Sequence, residues 1–204
     1  KIGENCHLKS HVIVDGNVNI GDKTQIFSFA SIGSDPQDLK FKGEETEIII
    51  GKNCKIREYC TINPGTIGGG GITKVGDNCL LMIGTHVAHD CLISDNVIFA
   101  NHSTLAGHVH IEKNVVVGAL SAIHQFTRIG EGSMIGGMSG ITGDVPPFCT
   151  AMGNRAKLNG LNVVGLKRNE VSKIEISELR KVYNYIFGSS KLTFKERVEK
   201  IKAE

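Results

Sequence analysis

The segment GTHVAHDC, residues 84–91, brings together side chains that could carry out acid–base, nucleophilic or metal chemistry. It contains His86 and His89, followed by Asp90 and Cys91. A histidine beside a carboxylate can act as a general base, because an ordinary imidazole has a pKa of about 6.5. Histidine, aspartate and cysteine are also zinc ligands, and cysteine can be a nucleophile. The elements that hold the segment decide among these possibilities.

An aliphatic residue, or once a phenylalanine, recurs every six positions along most of the chain. The series begins at Ile2, resumes at Ile50 and restarts at Val75, from which it continues to Ile141. The residue four positions after nearly every anchor is small or β-branched, as at Cys54. Residues two apart share one face of a strand, so both positions point inward. The repeat predicts a parallel β-helix with three hexapeptides in each coil of eighteen residues, and such coils are left-handed in known proteins.

Two segments interrupt the repeat, and each is expected to be a loop that leaves the coil. They are residues 33–49, which are too polar for a core, and residues 66–74, which shift the repeat by one position. Loops on a rigid scaffold commonly carry functional residues.

The repeat ends near Pro146 and Pro147, which gives a predicted β-helix over residues 1–147. Residues 148–204 are predicted to form a C-terminal helical domain. Ser172-x-x-Glu175 and Thr193-x-x-Glu196 are capping-box patterns, so helices are expected to begin at both places.

The charge balance excludes several classes of partner. Lys and Arg total 23 against 21 Asp and Glu, for a net charge of +2 in 204 residues. Nothing in so balanced a composition calls for a surface that binds nucleic acid or a membrane. No apolar run approaches the roughly 20 residues that a membrane span needs.

The position of each cysteine in the repeat argues against disulfides, zinc and nucleophilic catalysis. Five cysteines occupy the inward position four residues after an anchor: Cys6, Cys54, Cys60, Cys79 and Cys91. In a narrow core they act as small hydrophobic side chains. Unpaired thiols favour a reducing compartment, so we predict a cytoplasmic protein.

The histidines, by contrast, all avoid the inward positions. His86, His89, His108 and His124 are concentrated within about two coils, which indicates a site. One coil of eighteen residues above His89 lies Gly107, and Asp90 lies beneath His108 in the neighbouring column. A base, an orienting carboxylate and a backbone donor are the parts that acyl transfer requires.

Several motifs in series make the chain resemble a known enzyme family. QDLKFKGE at residues 37–44, HVAHDC at 86–91, HQF at 124–126, DVPP at 144–147 and GLKR at 165–168 occur in the same order in the UDP-N-acetylglucosamine O-acyltransferases. The resemblance covers nearly the whole chain, although relative to that family we expect about two coils to be missing at the start and some helix at the end.

The resemblance implies a reaction and a set of partners. The family transfers an (R)-3-hydroxyacyl group from acyl carrier protein to the 3-hydroxyl of UDP-N-acetylglucosamine, the first step of lipid A biosynthesis, and needs no cofactor and no metal. A flat β-helix face leaves the pocket incomplete in one chain, so we expect a homotrimer with sites between subunits.

The resemblance also implies roles for individual residues. His89 would act as the general base and Asp90 would support it. The Gly107 N–H would donate a hydrogen bond to the oxyanion. The sugar would be contacted by Asp38, Lys40, His86 and His108. The diphosphate would lie near His124 and Gln125, and uridine and phosphate would be contacted by Asn162 and Arg168. Gly137 would set the length of the acyl chain.

Some residues depart from the family pattern, and other functions remain open. Asn169 stands where the family has a second arginine, and Val164 stands where it has an acidic residue. Asn63-Pro64 replaces a His-Arg pair, so the nucleotide contacts are the least secure of these assignments. Another acyltransferase of this fold is one alternative, and a catalytically silent scaffold is another. The QDLK loop and the helical tail favour the O-acyltransferase over the N-acyltransferase of the same pathway. A zinc enzyme resembling the gamma-class carbonic anhydrases is disfavoured, because no two histidines are 18 or 36 residues apart.

Overall fold

The structure, a computed structural model, describes residues 1–203. It is the predicted left-handed parallel β-helix, followed by three α-helices. The strands in chain order are β1 His7–Leu8, β2 Ile13–Val14, β3 Asn17–Ile20, β4 Gln25–Ile26, β5 Ser31–Ile32, β6 Glu47–Ile50, β7 Lys55–Ile56, β8 Thr61–Ile62, β9 Ile72–Val75, β10 Leu80–Leu81, β11 His86–Val87, β12 Leu92–Ile93, β13 Ile98–Phe99, β14 Thr104–Leu105, β15 His110–Ile111, β16 Val116–Val117, β17 Ala122–Ile123, β18 Arg128–Ile129, β19 Met134–Ile135, β20 Gly140–Ile141, β21 Cys149–Met152 and β22 Lys157–Leu161.

The strands stack into three sheets that form the faces of the β-helix. Sheet 1 contains β1, β4, β7, β10, β13, β16, β19, β21 and β22, sheet 2 contains β2, β5, β8, β11, β14, β17 and β20, and sheet 3 contains β3, β6, β9, β12, β15 and β18. Each coil passes through sheets 1, 2 and 3 in turn. The corners between them form three columns, which we call edge 1–2 (as at residues 101–102), edge 2–3 (as at residues 89–90) and edge 3–1 (as at residues 95–96).

The core is a single stack of the residues at the two inward positions. From Ile20 to Ile141 every anchor is at most 4% exposed. Hydroxyl groups in this stack bond to backbone carbonyls, either of their own corner, as Ser103 Oγ does to Ala100 O at 2.8 Å, or of the next coil, as Ser121 Oγ does to Gly136 O at 2.8 Å. Ile2 and Leu8 are exposed because no coil packs beneath them within the described residues.

Both loops leave the β-helix at edge 2–3. The first spans residues 33–46 and the second residues 63–71, so each ends earlier than the sequence predicts. The difference arises because residues 47–50 and 72–75 alternate inward and outward and form the strands β6 and β9. Within residues 1–203, the corner column that carries the long loops is therefore the one that carries His89.

The region predicted to be helical from residue 148 begins with two strands. Cys149 and Ala151 in β21 are buried and continue sheet 1, and β22 returns antiparallel to close its end. The helices follow as α1 Val163–Arg168, α2 Lys173–Phe187 and α3 Phe194–Ala203. The capping box at Ser172 is confirmed, and Thr193 makes the same reciprocal bonds with Glu196 before α3.

All six cysteines are free, and the five predicted to point inward do so. Within residues 1–203, none of the helices is both long and apolar enough to cross a membrane.

Candidate active site

His89 and Asp90 are the two corner residues between β11 and β12, and they form a hydrogen-bonded pair. His89 Nδ1 lies 2.8 Å from Asp90 Oδ2. The Asp90 side chain is 0% exposed, and that of His89 is 14% exposed. An ionised carboxylate can only accept a hydrogen bond, so Nδ1 carries the proton and donates it. In the neutral ring Nε2 is therefore free to accept a proton from a substrate.

Gly107 lies directly above His89, as the eighteen-residue column predicts. His108 N–H donates to His89 O at 3.0 Å, and Phe126 N–H donates to Gly107 O at 3.2 Å, which ties the three coils together. A Cβ at position 107 would lie 2.5 Å from His89 Cε1 and 2.7 Å from Nε2. A side chain at this position would therefore displace the imidazole. No acceptor within residues 1–203 receives the Gly107 N–H.

His108 packs between His89 and Phe126. Its ring is perpendicular to that of His89, with centroids 5.0 Å apart, and stacks on Phe126 at 4.4 Å. His108 Nδ1 is 3.8 Å from Asp90 Oδ2, beyond the range of a good hydrogen bond. Asp90 thus pairs with His89 rather than with His108.

The other two predicted histidines differ in their surroundings. His86 Nδ1 is 2.7 Å from Thr61 Oγ1. Burial lowers the pKa of His86, and the nearby His89 acts in the same direction, so His86 is neutral at neutral pH. His124 and Gln125 are exposed on the coil above Gly107, where they are accessible to a ligand.

The first loop brings two predicted sugar-binding residues close to His108. Asp38 and Lys40 line a cleft of about 230 Å³ together with His108 and Phe126. Asp38 Oδ1 accepts a hydrogen bond from Lys40 N–H at 3.0 Å, which shapes the tip of this loop.

Three predicted site residues lie elsewhere in the chain. Gly137 is on edge 1–2, whereas Asn162 and Arg168 line a depression of about 590 Å³ against sheet 1. The Asn162 amide is also engaged locally, because its Oδ1 caps α1 at Gly165 N–H and its Nδ2 donates to Gly132 O. One chain does not bring these residues to His89, and their binding roles stay predictions.

Two residues near the site were missed by the sequence analysis. Phe126 could have been found, because it lies eighteen residues after His108 and thus in the same column. Thr66, which contacts Asp90, could not, because the second loop breaks the count between coils.

The same corner also contains possible metal ligands and a cysteine. His89, Asp90 and His108 offer ligand atoms within 4.8 Å of one another, the one such group found in the described part of the chain. A metal there would have to replace the proton between His89 and Asp90. Cys91 faces the core, where burial raises the pKa of its thiol to about 12, so it is a poor nucleophile.

The fold and this corner together define the class of protein. A β-helix of hexapeptides with a histidine–carboxylate pair on one edge is the arrangement expected of a hexapeptide transferase, and residues 72–107 match the bacterial transferase hexapeptide repeat. Residues 144–204 match the second domain of UDP N-acetylglucosamine O-acyltransferase.

Individual relatives identify the family. The acyl-[acyl-carrier-protein]–UDP-N-acetylglucosamine O-acyltransferase of Campylobacter concisus is 45% identical over all of this chain and 77% of its own length. That of Nautilia profundicola is 54% identical over 84% of this chain, and the match covers 66% of its length. LpxA from Acinetobacter baumannii superimposes with a TM-score of 0.96 at 48% identity, over 100% of this chain and 78% of that one. The chain belongs to the UDP-N-acetylglucosamine O-acyltransferase family and spans about two thirds to three quarters of the length of these relatives.

Proposed function

We propose that this protein transfers an (R)-3-hydroxyacyl chain from acyl carrier protein to the 3-hydroxyl of UDP-N-acetylglucosamine, the first step of lipid A biosynthesis. The names of the relatives support the substrates and the reaction. The observation that carries the mechanism is the 2.8 Å bond from His89 Nδ1 to buried Asp90, because it leaves Nε2 as the accessible base.

His89 Nε2 removes the proton of the sugar hydroxyl as that oxygen attacks the thioester carbonyl. The new C–O bond places negative charge on the carbonyl oxygen, which the free Gly107 N–H stabilises. When the C–S bond breaks, the carrier-protein thiolate takes the proton from the imidazolium, so His89 returns to its neutral form. The donor is already an activated thioester, and the transfer uses no cofactor, metal or covalent enzyme intermediate.

Substrate contacts follow from the cleft beside His108. We assign the sugar hydroxyls to Asp38 and Lys40 on the first loop and to His86 and His108 on the β-helix. The diphosphate is assigned to His124 and Gln125, which are exposed on the next coil. The neutral state of His86 suits a group that accepts or donates hydrogen bonds without opposing the charge on His89.

A homotrimer completes this site. Gly137, Asn162 and Arg168 lie on other faces than His89, so a neighbouring subunit has to supply them to each pocket. Edge 1–2 also carries four exposed apolar side chains, a feature typical of subunit interfaces. These are Phe29, Tyr59, Leu120 and Met138, which are between 49% and 74% exposed. The reaction and its soluble substrates agree with a cytoplasmic location.

Transfer of radiolabelled acyl groups by the purified protein tests the proposal. Label should pass from (R)-3-hydroxyacyl carrier protein to UDP-N-acetylglucosamine, and not to the analogue that lacks the 3-hydroxyl. Absence of transfer by the folded wild-type protein would contradict the function. Light scattering tests the assembly, and a fully active monomer would contradict it.

A further inference from the structure

The second loop, residues 63–71, has no part in the mechanism above, yet it covers the Asp90 carboxylate. Thr66 N–H donates to Asp90 Oδ1 at 2.8 Å, and Thr66 Oγ1–H donates to Asp90 Oδ2 at 2.6 Å. Thr66 itself is 6% exposed. One residue of the loop therefore contacts both oxygens of the carboxylate.

Two further contacts fix Asp90 in place. A Cβ at Gly69 would overlap the Asp90 carboxyl group, so the glycine lets the loop backbone lie directly against it. From the core side, Thr73 Oγ1 accepts a hydrogen bond from Asp90 N–H at 2.8 Å. This bond stabilises the left-handed backbone of Asp90, whose φ is 58°.

The hydrogen bonds from Thr66 supply donors to the buried Asp90 carboxylate and fix its orientation. A buried carboxylate is stable as an anion when hydrogen-bond donors replace the lost water. Asp90 has three donors, two from Thr66 and one from His89. The Thr66 hydroxyl bonds to Oδ2, the oxygen that lies 2.8 Å from His89 and 3.8 Å from His108.

We propose that Thr66 is a positioning residue that, through its hydroxyl group, holds the Asp90 carboxylate on His89 and so keeps Nε2 directed at the acceptor hydroxyl. The glycine-rich loop is on this view an essential part of the base, and not a spacer between coils. The inference rests on the proposed function, because it assigns Thr66 to the base of that reaction.

Thr66→Val tests the hydroxyl, because it removes one hydrogen-bond donor and keeps both the side-chain shape and the backbone N–H. We expect kcat to fall about 10-fold, since small displacements of a catalytic group are costly, while KM for UDP-N-acetylglucosamine changes less than about 3-fold. Thr66→Ser keeps the hydroxyl and should restore kcat to within about 3-fold of wild type.

Thr24→Val is the matched control. Thr24 is also fully buried, and its Oγ1 donates to Gly51 O at 2.9 Å on edge 3–1, away from His89. This variant should lose thermal stability and keep the wild-type kcat. An equal loss of kcat in Thr24→Val and Thr66→Val would overturn the proposal, because general destabilisation would then explain both.

A double-mutant cycle with Asp90→Ala shows whether Thr66 acts through Asp90. Once the carboxylate is absent, Thr66→Val should have no further effect on kcat. Independent, multiplied losses would mean that Thr66 acts in some other way. If Thr66→Val does not fold, Gly69→Ala replaces it in the cycle, because its Cβ displaces the same carboxylate.

The outcomes separate this inference from the proposed function. If the wild-type protein does not transfer the acyl group, the proposed function is wrong. If it does, and Thr66→Val retains the wild-type kcat, the function holds and the role of Thr66 is wrong.

Discussion

Two successive corners of the β-helix have similar backbone conformations and different roles. We call Asp95–Asn96 the structural corner and His89–Asp90 the functional corner. At edge 3–1, Asp95 precedes Asn96, and at edge 2–3, His89 precedes Asp90; the second residue of each pair has a φ of 59° or 58°. Asp95 is exposed and accepts the N–H of Asp77 from the coil below at 2.7 Å. Asp90 is buried and bonds to His89.

The difference shows how one repeat produces both scaffold and site. A carboxylate at the first corner position bonds to the neighbouring coil, as Asp22 also does with Glu4 N–H, a bond that lowers the pKa of Asp22. Asp90, at the second position, is buried beneath the second loop, where it supports the histidine at the first position. The repeat therefore gives a structural carboxylate at the first corner position and, where a loop covers the second, part of a general base.

The largest expected effect comes from removing the base at the functional corner. His89→Ala should reduce kcat by about 100-fold or more, because a positioned base contributes that much, while substrate binding is largely kept. Steady-state rates with both substrates measure this. Asp95→Asn, at the structural corner, should keep full activity. Wild-type turnover by His89→Ala would remove the distinction between the two corners.

Gly107→Ala should have the next largest effect. Its Cβ displaces the His89 imidazole, so we expect kcat to fall about 10-fold or more with little change in melting temperature. Gly143→Ala is the matched control, because Gly143, like Gly107, lies two residues after a sheet 2 anchor on the same edge, and it has open space around it. If the two variants have equal kcat, the close contact at Gly107 does not matter for catalysis.

A third edge provides a test of selectivity. Gly137 is exposed on edge 1–2, and a Cβ there meets Ala119 O at 3.3 Å, a tight contact that a small shift relieves. Gly137→Met should shift preference toward shorter acyl donors, since each buried methylene contributes about 0.8 kcal/mol, and should leave the rate with those donors nearly intact. Rates across donors of graded length measure the shift. An unchanged preference would place the chain-length determinant elsewhere, and the neighbouring Met138 is the first candidate.

Substitution of Cys91, the core residue beside the functional corner, should reduce kcat much less. Cys91→Ser keeps a donor for Ala106 O, which the thiol contacts at 3.2 Å, so we expect kcat within about two-fold of wild type and a stability loss of about 1 kcal/mol. Thermal unfolding and initial rates measure both. A folded but inactive Cys91→Ser protein would make the thiol part of the chemistry.

Chelation should have no effect at all. The proton between His89 and Asp90 occupies a position that a metal would need, and the mechanism uses no Lewis acid. Activity after exhaustive treatment with a chelator should equal that of the untreated protein. A stoichiometric zinc ion whose removal abolishes activity would show that the functional corner is a metal site.

The sequence by itself determined everything that depends on counting within the repeat. Six-residue spacing places the anchors from Ile20 to Ile141 in the core, and eighteen-residue spacing places Gly107 over His89 and His108 over Asp90. The capping boxes at Ser172 and Thr193 are equally local, so the starts of two helices could also be predicted. These features need no knowledge of distant contacts, because each coil repeats the geometry of the one before.

Tertiary structure alone decided what lies across the interruptions. The loops carry no fixed spacing, so counting could not show that Thr66 bonds to Asp90 or that Asp38 lines the same cleft as His108. Side-chain rotation, which spacing does not specify, directs Asp90 to His89 rather than to His108. The strands of residues 149–161 were missed for a related reason: their place in sheet 1 depends on pairing with β19, a long-range contact that outweighs the local end of the repeat at Pro146 and Pro147.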